Sequence, residues 1–436
     1  MSVLTASGGP RLDERVLADL DARLADTDAF LDRAYPGEDG RRQPVHTVYV
    51  PADRYTVDLP QRWGTEAAAL VAAQGGWPAM CRSVGVAEHL VEAVAVRAEA
   101  KLATEPIEDL RLDFEDGYGP RPDAVEDADA VAVAERLADA LASGAAPAFV
   151  GLRFKCFEAP TRRRGLRTLD LFLSTLLERT GELPEGLVIT FPKVSTVSQV
   201  EVMVAACEAY ETAAGLPAGR LGFEIQVETP PLILGADGTA PVAAAIHAGA
   251  GRVTSLHYGT YDYSASLQVS AEYQSMEHPV ADYAKDVMQA AVAGTGVHLS
   301  DGSTNILPVG TDDQIQAAWR LHHRLVRRSL ERAIYQGWDL HPAQLPTRFV
   351  ANITFYREGF DRAADRLHAY LTKSGGGILD EPATARALAR YLYRGFVCGA
   401  VTDAELTSAV GLGAARIELL ARPKSDTENV VVATRS

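Results

Sequence analysis

The sequence predicts an α/β protein built on a closed (βα)8 TIM barrel. Three observations predict it: short β-rich apolar runs recur along the chain, helical segments separate them, and eight such runs pass before a glycine-rich stretch. Candidate strands are His46 to Pro51, Leu110 to Phe114, Phe149 to Phe154, Leu187 to Phe191, Gly222 to Val227, Arg252 to Leu256, Gly296 to Leu299 and Tyr335 to Leu340. A barrel of this kind carries its chemistry at the C-terminal ends of its strands.

In chain order, residues 11 to 34 place Leu12, Val16, Leu17, Leu20, Leu24, Phe30 and Leu31 at helical spacing, which predicts a helix outside the repeat. The linker PGEDGRRQP follows. Between the strands the apolar spacing predicts helices near 86–103, 123–143, 166–179, 196–214, 240–249, 279–293 and 312–333, with 346–371 after the last strand. The first connection is long, and its segment RWGTEAAALVAAQGGWPAM reads as an insertion. Beyond the eighth unit, KSGGGILDEP opens a tail with a helical stretch from Thr384 to Ala400. The expected organisation is an N-terminal helix and linker over 1–45, a barrel catalytic domain over 46–372, and a Gly-hinged C-terminal lid and tail over 373–436.

Composition narrows the function classes. A formal net charge of -16 over 436 residues, with acidic side chains spread along the chain, argues against nucleic acid or anionic membrane as partner. No apolar stretch approaches a membrane span, and MSVLTASGGPRLDERV lacks the basic-then-apolar pattern of a secretory signal, so the expected compartment is the cytoplasm. Cys81, Cys156, Cys207 and Cys398 have no metal-ligand spacing and are expected to pack.

The predicted strand ends are unusually polar. LGFEIQVETP delivers Glu228 to the end of the fifth strand, and the sixth runs out through HYGTYDYS to Asp262. Two carboxylates at neighbouring strand ends, with further positions open to water, suit Mg²⁺ or Mn²⁺. The second strand ends in Asp113, Glu115 and Asp116; alternation sends the first two one way and Asp116 the other, so at least one faces the site. The third strand carries Arg153 and Lys155 at its end, Lys193 follows the fourth, Asp301 the seventh and His341 the eighth, with His257 near the sixth. An arginine can grip a substrate carboxylate bidentately, and a metal chelated by a 2-oxo or 2-hydroxy acid can polarise its carbonyl or stabilise an enolate during carbon-carbon cleavage. His257, His278 and His298 read as rim or packing residues, and the acidic run at 123 to 129 as the first turn of a helix.

In order, VYVPADR (48–54), LDFEDGYG (112–119), GLRFK (151–155), FPKV (191–194), QVETP (226–230), YGTYD (258–262) and LHPAQ (340–344) resemble the HpcH/HpaI aldolase and citrate lyase beta-chain family, which includes malyl-CoA and citramalyl-CoA lyases. The resemblance covers residues 46 to about 395 and implies a barrel of the phosphoenolpyruvate/pyruvate type that makes or breaks carbon-carbon bonds with Mg²⁺ held by a Glu and an Asp. Carried over by motif, the ligands are Glu228 and Asp262, and Arg153 binds the substrate carboxylate. GGGILDEPATARAL (375–388) resembles the lid of the acyl-CoA lyase branch, which implies that Asp380 is a catalytic aspartate supplied to a neighbouring subunit. The sequence departs from the family before the first strand, where Pro44-Val45-His46-Thr47 replaces a short basic segment and Arg41 and Arg42 lie further back.

The expectation is therefore a Mg²⁺-dependent lyase for a 2-oxo acid such as glyoxylate, pyruvate or oxaloacetate, with an acyl-CoA as favoured second partner. Its catalytic residues are Asp380, Arg153 and Asp116, its metal ligands Glu228 and Asp262, and its state a homo-oligomer that exchanges lids. An aldolase acting on free hydroxy-oxo acids without CoA, and a non-catalytic assembly subunit, remain as alternatives.

Overall fold

The computed structural model describes residues 12–372 and 381–422. Its eight strands are β1 His46–Pro51, β2 Asp109–Asp113, β3 Phe149–Arg153, β4 Leu187–Phe191, β5 Phe223–Val227, β6 Val253–Tyr258, β7 His298–Ser300 and β8 Gly337–Asp339. All pairings are parallel and follow chain order from β1 to β7, with β8 beside β1. The β7–β8 seam is closed by a bridge between Ser300 and Gln336, by the Asp301 N–H donating to the Gln336 carbonyl (2.8 Å), and by the Trp338 N–H donating to the Gly302 carbonyl (3.1 Å). The fold is a (βα)8 TIM barrel, as the repeat predicts. Strand limits differ locally: β6 continues to Tyr258, while β7 and β8 span three residues each.

The long first connection forms two helices, Leu59–Ala73 and Trp77–Ser83, ahead of Glu88–Thr104. They separate at Gly75 and Gly76, whose φ values of 95° and 85° favour glycine. The first buries Leu59, Ala67 and Val71, so the insertion is packed structure. The N-terminal helix, Glu14–Ala34, starts at Asp13, whose carboxylate accepts the Val16 N–H (2.9 Å). It buries no residue. After the barrel, Pro382–Val397, Asp403–Val410 and Ala414–Ala421 pack along Leu345–Thr372 and one another, and Leu392, Leu406 and Ile417 join the main core.

Strand alternation sorts the barrel into two cores. Outward positions are apolar and buried against helices: Val48 and Val50 of β1, Leu110 and Leu112 of β2, Phe223, Ile225 and Val227 of β5. Inward positions are polar and equally buried: Thr47, Tyr49, Asp109, Arg111, Thr190, Glu224, Gln226 and His257. Arg111 is held there by Glu224 (Nη2 to Oε2, 2.8 Å), by Thr190 Oγ1 (3.0 Å from Nε) and by Asp109. The Tyr49 hydroxyl donates to Glu224 across the barrel (3.2 Å). The Trp338 indole donates to His257 Nδ1 (3.1 Å), which leaves the His257 proton on Nε2, 3.1 Å from Glu224. Burial opposes the Glu224 charge, yet Arg111 and His257 hold its carboxyl far below the usual range.

At the N-terminal end of the strands, Glu211 accepts from both Arg252 Nη atoms (2.6 and 2.8 Å) and from the N–H groups of Leu221 (2.7 Å) and Gly219 (3.0 Å). Burial alone would raise this carboxyl, but these donors bring it down to about 2 from 4.5. A depressed folded value stabilises fully above the unfolded value, and that stabilisation is lost as pH falls through the folded value. Glu211→Gln should therefore flatten the acid limb between 4.5 and about 2, and should cost about 1–3 kcal/mol at neutral pH. Urea midpoints of both proteins across that range check this; parallel acid limbs would contradict it.

Candidate active site at the C-terminal mouth of the barrel

Glu228 shares the inward parity of Glu224 and Gln226 and is the first residue past β5, so the barrel itself carries it to the mouth. It is buried, and its Oε2 accepts the Lys193 N–H at 3.2 Å. Its side chain lies across Gly259, where a Cβ would stand 2.2 Å from Glu228 Cγ. Gly259 in turn caps the short helix Thr260–Ser266, whose first turn presents Asp262. Asp262 keeps 45% of its side chain exposed, so the pair consists of one buried and one solvated carboxylate.

Arg153 closes β3 and is buried. Its Nε and Nη2 donate to the two Asp113 oxygens, both at 2.7 Å, and its guanidinium stacks on Tyr49 at 4.9 Å. One edge of the fork is thus taken within the chain, while Nη1 lies 3.6 Å from Glu115. Asp113 also accepts the N–H groups of Glu115 (2.9 Å) and Gly117 (2.8 Å), curling the DFEDGYG turn over the mouth. Strand alternation has ended at Asp113, so Glu115 and Asp116 reach one common partner instead of diverging.

That partner is Lys193. Its Nζ lies 2.5 Å from Glu115, 2.7 and 2.8 Å from the two oxygens of Asp116, and 3.4 Å from Asp262. Five carboxylates, Asp113, Glu115, Asp116, Glu228 and Asp262, therefore meet two cations. The imbalance shows in their protonation. Burial, with repulsion from Glu115 and Asp262, outweighs Arg153 and Lys193 and pushes Glu228 up to about 8. Burial and Asp116 push Glu115 up to about 7. Asp116 goes the other way: burial is outweighed by its contacts with Glu115 and Lys193.

A divalent ion fits this donor set on charge. A buried carboxylate as reluctant to ionise as Glu228 is what a nearby dication would correct. Among the described residues, no three His, Cys, Asp or Glu side chains form a ready ligand group, so an ion here would draw further ligands from water or substrate.

Other polar strand ends have structural partners. Lys155 donates to Glu126 (2.6 Å) and to the Phe114 carbonyl (2.8 Å). Asp301 accepts from Lys285 (3.0 Å) and Ser329 (2.6 Å), and His341 Nδ1 accepts the Ala343 N–H (3.2 Å). His278 caps Pro279–Val292, and His298 is pushed down to about 4 by burial and by Arg394 and Arg41. Asp380 lies outside the described residues. Sequence reasoning missed Tyr49 beneath Arg153 and the interior network around Arg111. The signal was the period-2 spacing of charge in DLRLD and FEIQVE, strands flanked on their other face by apolar residues.

A family model described as a domain of unknown function, DUF6986, matches residues 24–425. No curated protein matches the chain. Among solved structures, a citrate lyase from Burkholderia xenovorans aligns with 86% of this chain and 98% of its own at 19% identity and a TM-score of 0.54. Haloferax volcanii malate synthase in a magnesium/glyoxylate complex aligns with 87% and 99% at 14% identity and a TM-score of 0.47. An HpcH/HpaI aldolase/citrate lyase family protein from Burkholderia cenocepacia aligns with 58% and 84% at 16% identity and a TM-score of 0.34. At 19% identity the likeness to the citrate lyase is one of fold.

The contact between Gly259 and Glu228 gives a direct test of the mouth. Gly259→Ala should turn the Glu228 carboxylate off its present position and cost about 1–3 kcal/mol through overpacking. A crystal structure and a urea titration of the variant check this; an unmoved Glu228 with unchanged stability would contradict it.

Proposed function

The chain belongs to the DUF6986 family, and from that premise and the mouth geometry we propose that it is a divalent-metal-dependent carbon-carbon lyase of the aldolase and citrate lyase kind. The observation that carries this reading is the surplus of carboxylate at the mouth, centred on buried Glu228 beside half-exposed Asp262. The HpcH/HpaI-like motifs fall on the same residues.

Glu228 and Asp262 would hold Mg²⁺ or Mn²⁺, which when bound supplies Lewis-acid polarisation of a 2-oxo group. Arg153, already oriented by Asp113 and Tyr49, offers the Nη1 side of its fork to a substrate carboxylate. Asp116, held below the usual carboxylate range at the rim by its contacts with Glu115 and Lys193, is the proposed proton acceptor there. The substrate is a 2-oxo acid such as glyoxylate, pyruvate or oxaloacetate, or the hydroxy acid formed from it.

Asp380 is the proposed general base or acid, supplied by a second subunit of a homo-oligomer. Support comes from the resemblance of GGGILDEPATARAL to the lid of the acyl-CoA lyase branch.

An acyl-CoA is the second partner suggested by the family resemblance. One observation favours the reading without CoA. Arg41 and Arg42 lie at the opposite end of the barrel, where Arg42 is taken by Glu105 (2.8 Å) and Glu108 (3.1 Å), and Arg41 by Asp39 (2.5 Å).

Thermal shift with Mg²⁺ should show stabilisation by oxalate and 2-oxo acids, and an added shift with acyl-CoA thioesters decides between the two substrate readings. Glu228→Gln should abolish metal-dependent stabilisation, and Arg153→Lys should lower kcat/KM at least about tenfold by losing the planar fork. No metal-dependent shift in the wild type would remove the lyase reading. Supply of Asp380 across subunits is tested by co-assembling Asp380→Asn and Glu228→Gln: recovered activity is expected, and an active Asp380→Asn enzyme would contradict the role.

A further inference from the structure

Lys193 stands out because its backbone and side chain are both committed to the mouth. It follows Pro192 at the end of β4 and adopts φ 51°, a left-handed conformation that a lysine rarely takes. The conformation aims its N–H at Glu228 and sends its side chain across to the DFEDGYG turn, where Nζ meets Glu115, Asp116 and Asp262. One ammonium thus touches three of the five carboxylates, and the same residue's backbone touches a fourth.

We propose that Lys193 is the built-in counter-cation of this mouth, and that a divalent ion binding Glu228 and Asp262 must displace its ammonium from Asp262. This rests on the metal-dependent reading above and deepens it. A Mg²⁺ or Mn²⁺ ion needs carboxylate oxygens at about 2.1 Å, whereas the ammonium already stands 3.4 Å from Asp262 Oδ2. Two such cations sharing one carboxylate repel in a partly buried site. The four-carbon lysine stem allows Nζ to withdraw toward Asp116, which it already contacts through both oxygens and which stands half exposed at the rim.

Two consequences follow. Ion affinity is held down by the charge of the lysine. The displaced ammonium also becomes more accessible when the ion is present. Lys193 acts here as a positioning residue for the ion.

Mn²⁺ binding to the full chain, followed by the electron paramagnetic resonance signal of free Mn²⁺, tests the first consequence. Lys193→Met, which keeps the stem and removes the charge, should bind at least tenfold more tightly than wild type; Lys193→Arg should not. Equal or weaker binding by the methionine variant would overturn the proposal. The second consequence uses wild-type protein alone, so it stands even if the variant misfolds. Acetylation by acetic anhydride, read by mass spectrometry, should speed up at Lys193 when Mn²⁺ saturates, with Lys155, paired to Glu126, as the unchanged reference. An unchanged or slower rate at Lys193 would overturn the proposal. Wild-type binding abolished by Glu228→Gln, without the lysine effect, sinks the displacement and leaves the metal reading standing; no Mn²⁺ binding to any form sinks both.

Discussion

Burying Arg111 inside the barrel is the constraint on which the rest of the structure depends. A desolvated guanidinium is tolerable only where carboxylates and neutral acceptors surround it, and the chain supplies Asp109, Glu224 and Thr190 from three different strands. Those strands are held in one register by the requirement, because a slip of one residue would turn Arg111 outward and Leu110 inward. Tyr49 bridges this lower layer to the next: its hydroxyl reaches Glu224 and its ring carries Arg153. The mouth is therefore the upper storey of a polar column that starts deep in the barrel. Its side chains are fixed from below.

The same column explains the uneven legibility of the sequence. The eight strands were readable because their outward faces are apolar and their connections helical, and Glu228 was readable because its strand ends abruptly at Thr229-Pro230. Polarity at a strand end does not carry direction, however. Lys155 lies two residues beyond Arg153 and shares its nominal parity, but β3 stops at Arg153, so Lys155 is released to Glu126 on a neighbouring helix. Asp116 shows the converse. Parity assigned it away from Glu115, and a turn stitched by Asp113 returned it to the same lysine. Local alternation holds only while the ladder of backbone hydrogen bonds enforces it. The Arg153–Asp113 pair joins residues 40 apart, and no local pattern encodes which carboxylate such an arginine will take.

The helices outside the repeat differ in how they are held. Leu59–Ala73 and Trp77–Ser83 bury apolar faces against the barrel, and the three described C-terminal helices extend its core. By contrast, Glu14–Ala34 leaves Leu20, Leu24 and Phe30 exposed. An amphipathic pattern predicts a helix equally well in both settings, because periodicity reports that a face is apolar and not what covers it.

The division between Glu228 and Asp262 bears on how such a mouth works. Two solvated carboxylates would hold an ion weakly, because water and salt screen the attraction, and two buried ones would resist ionising in a low-dielectric site. Here the buried member resists ionisation and the solvated member stays open to exchange with water. Arg153 and Lys193 offset only part of the cost of charging the buried member, and a further cation at the mouth would lower that cost. Arg153 is spared that dependence, because Asp113 neutralises it within the chain and fixes its orientation before any ligand arrives. One side of the mouth is thus preorganised, and the other holds a buried carboxyl whose charge a bound cation would favour.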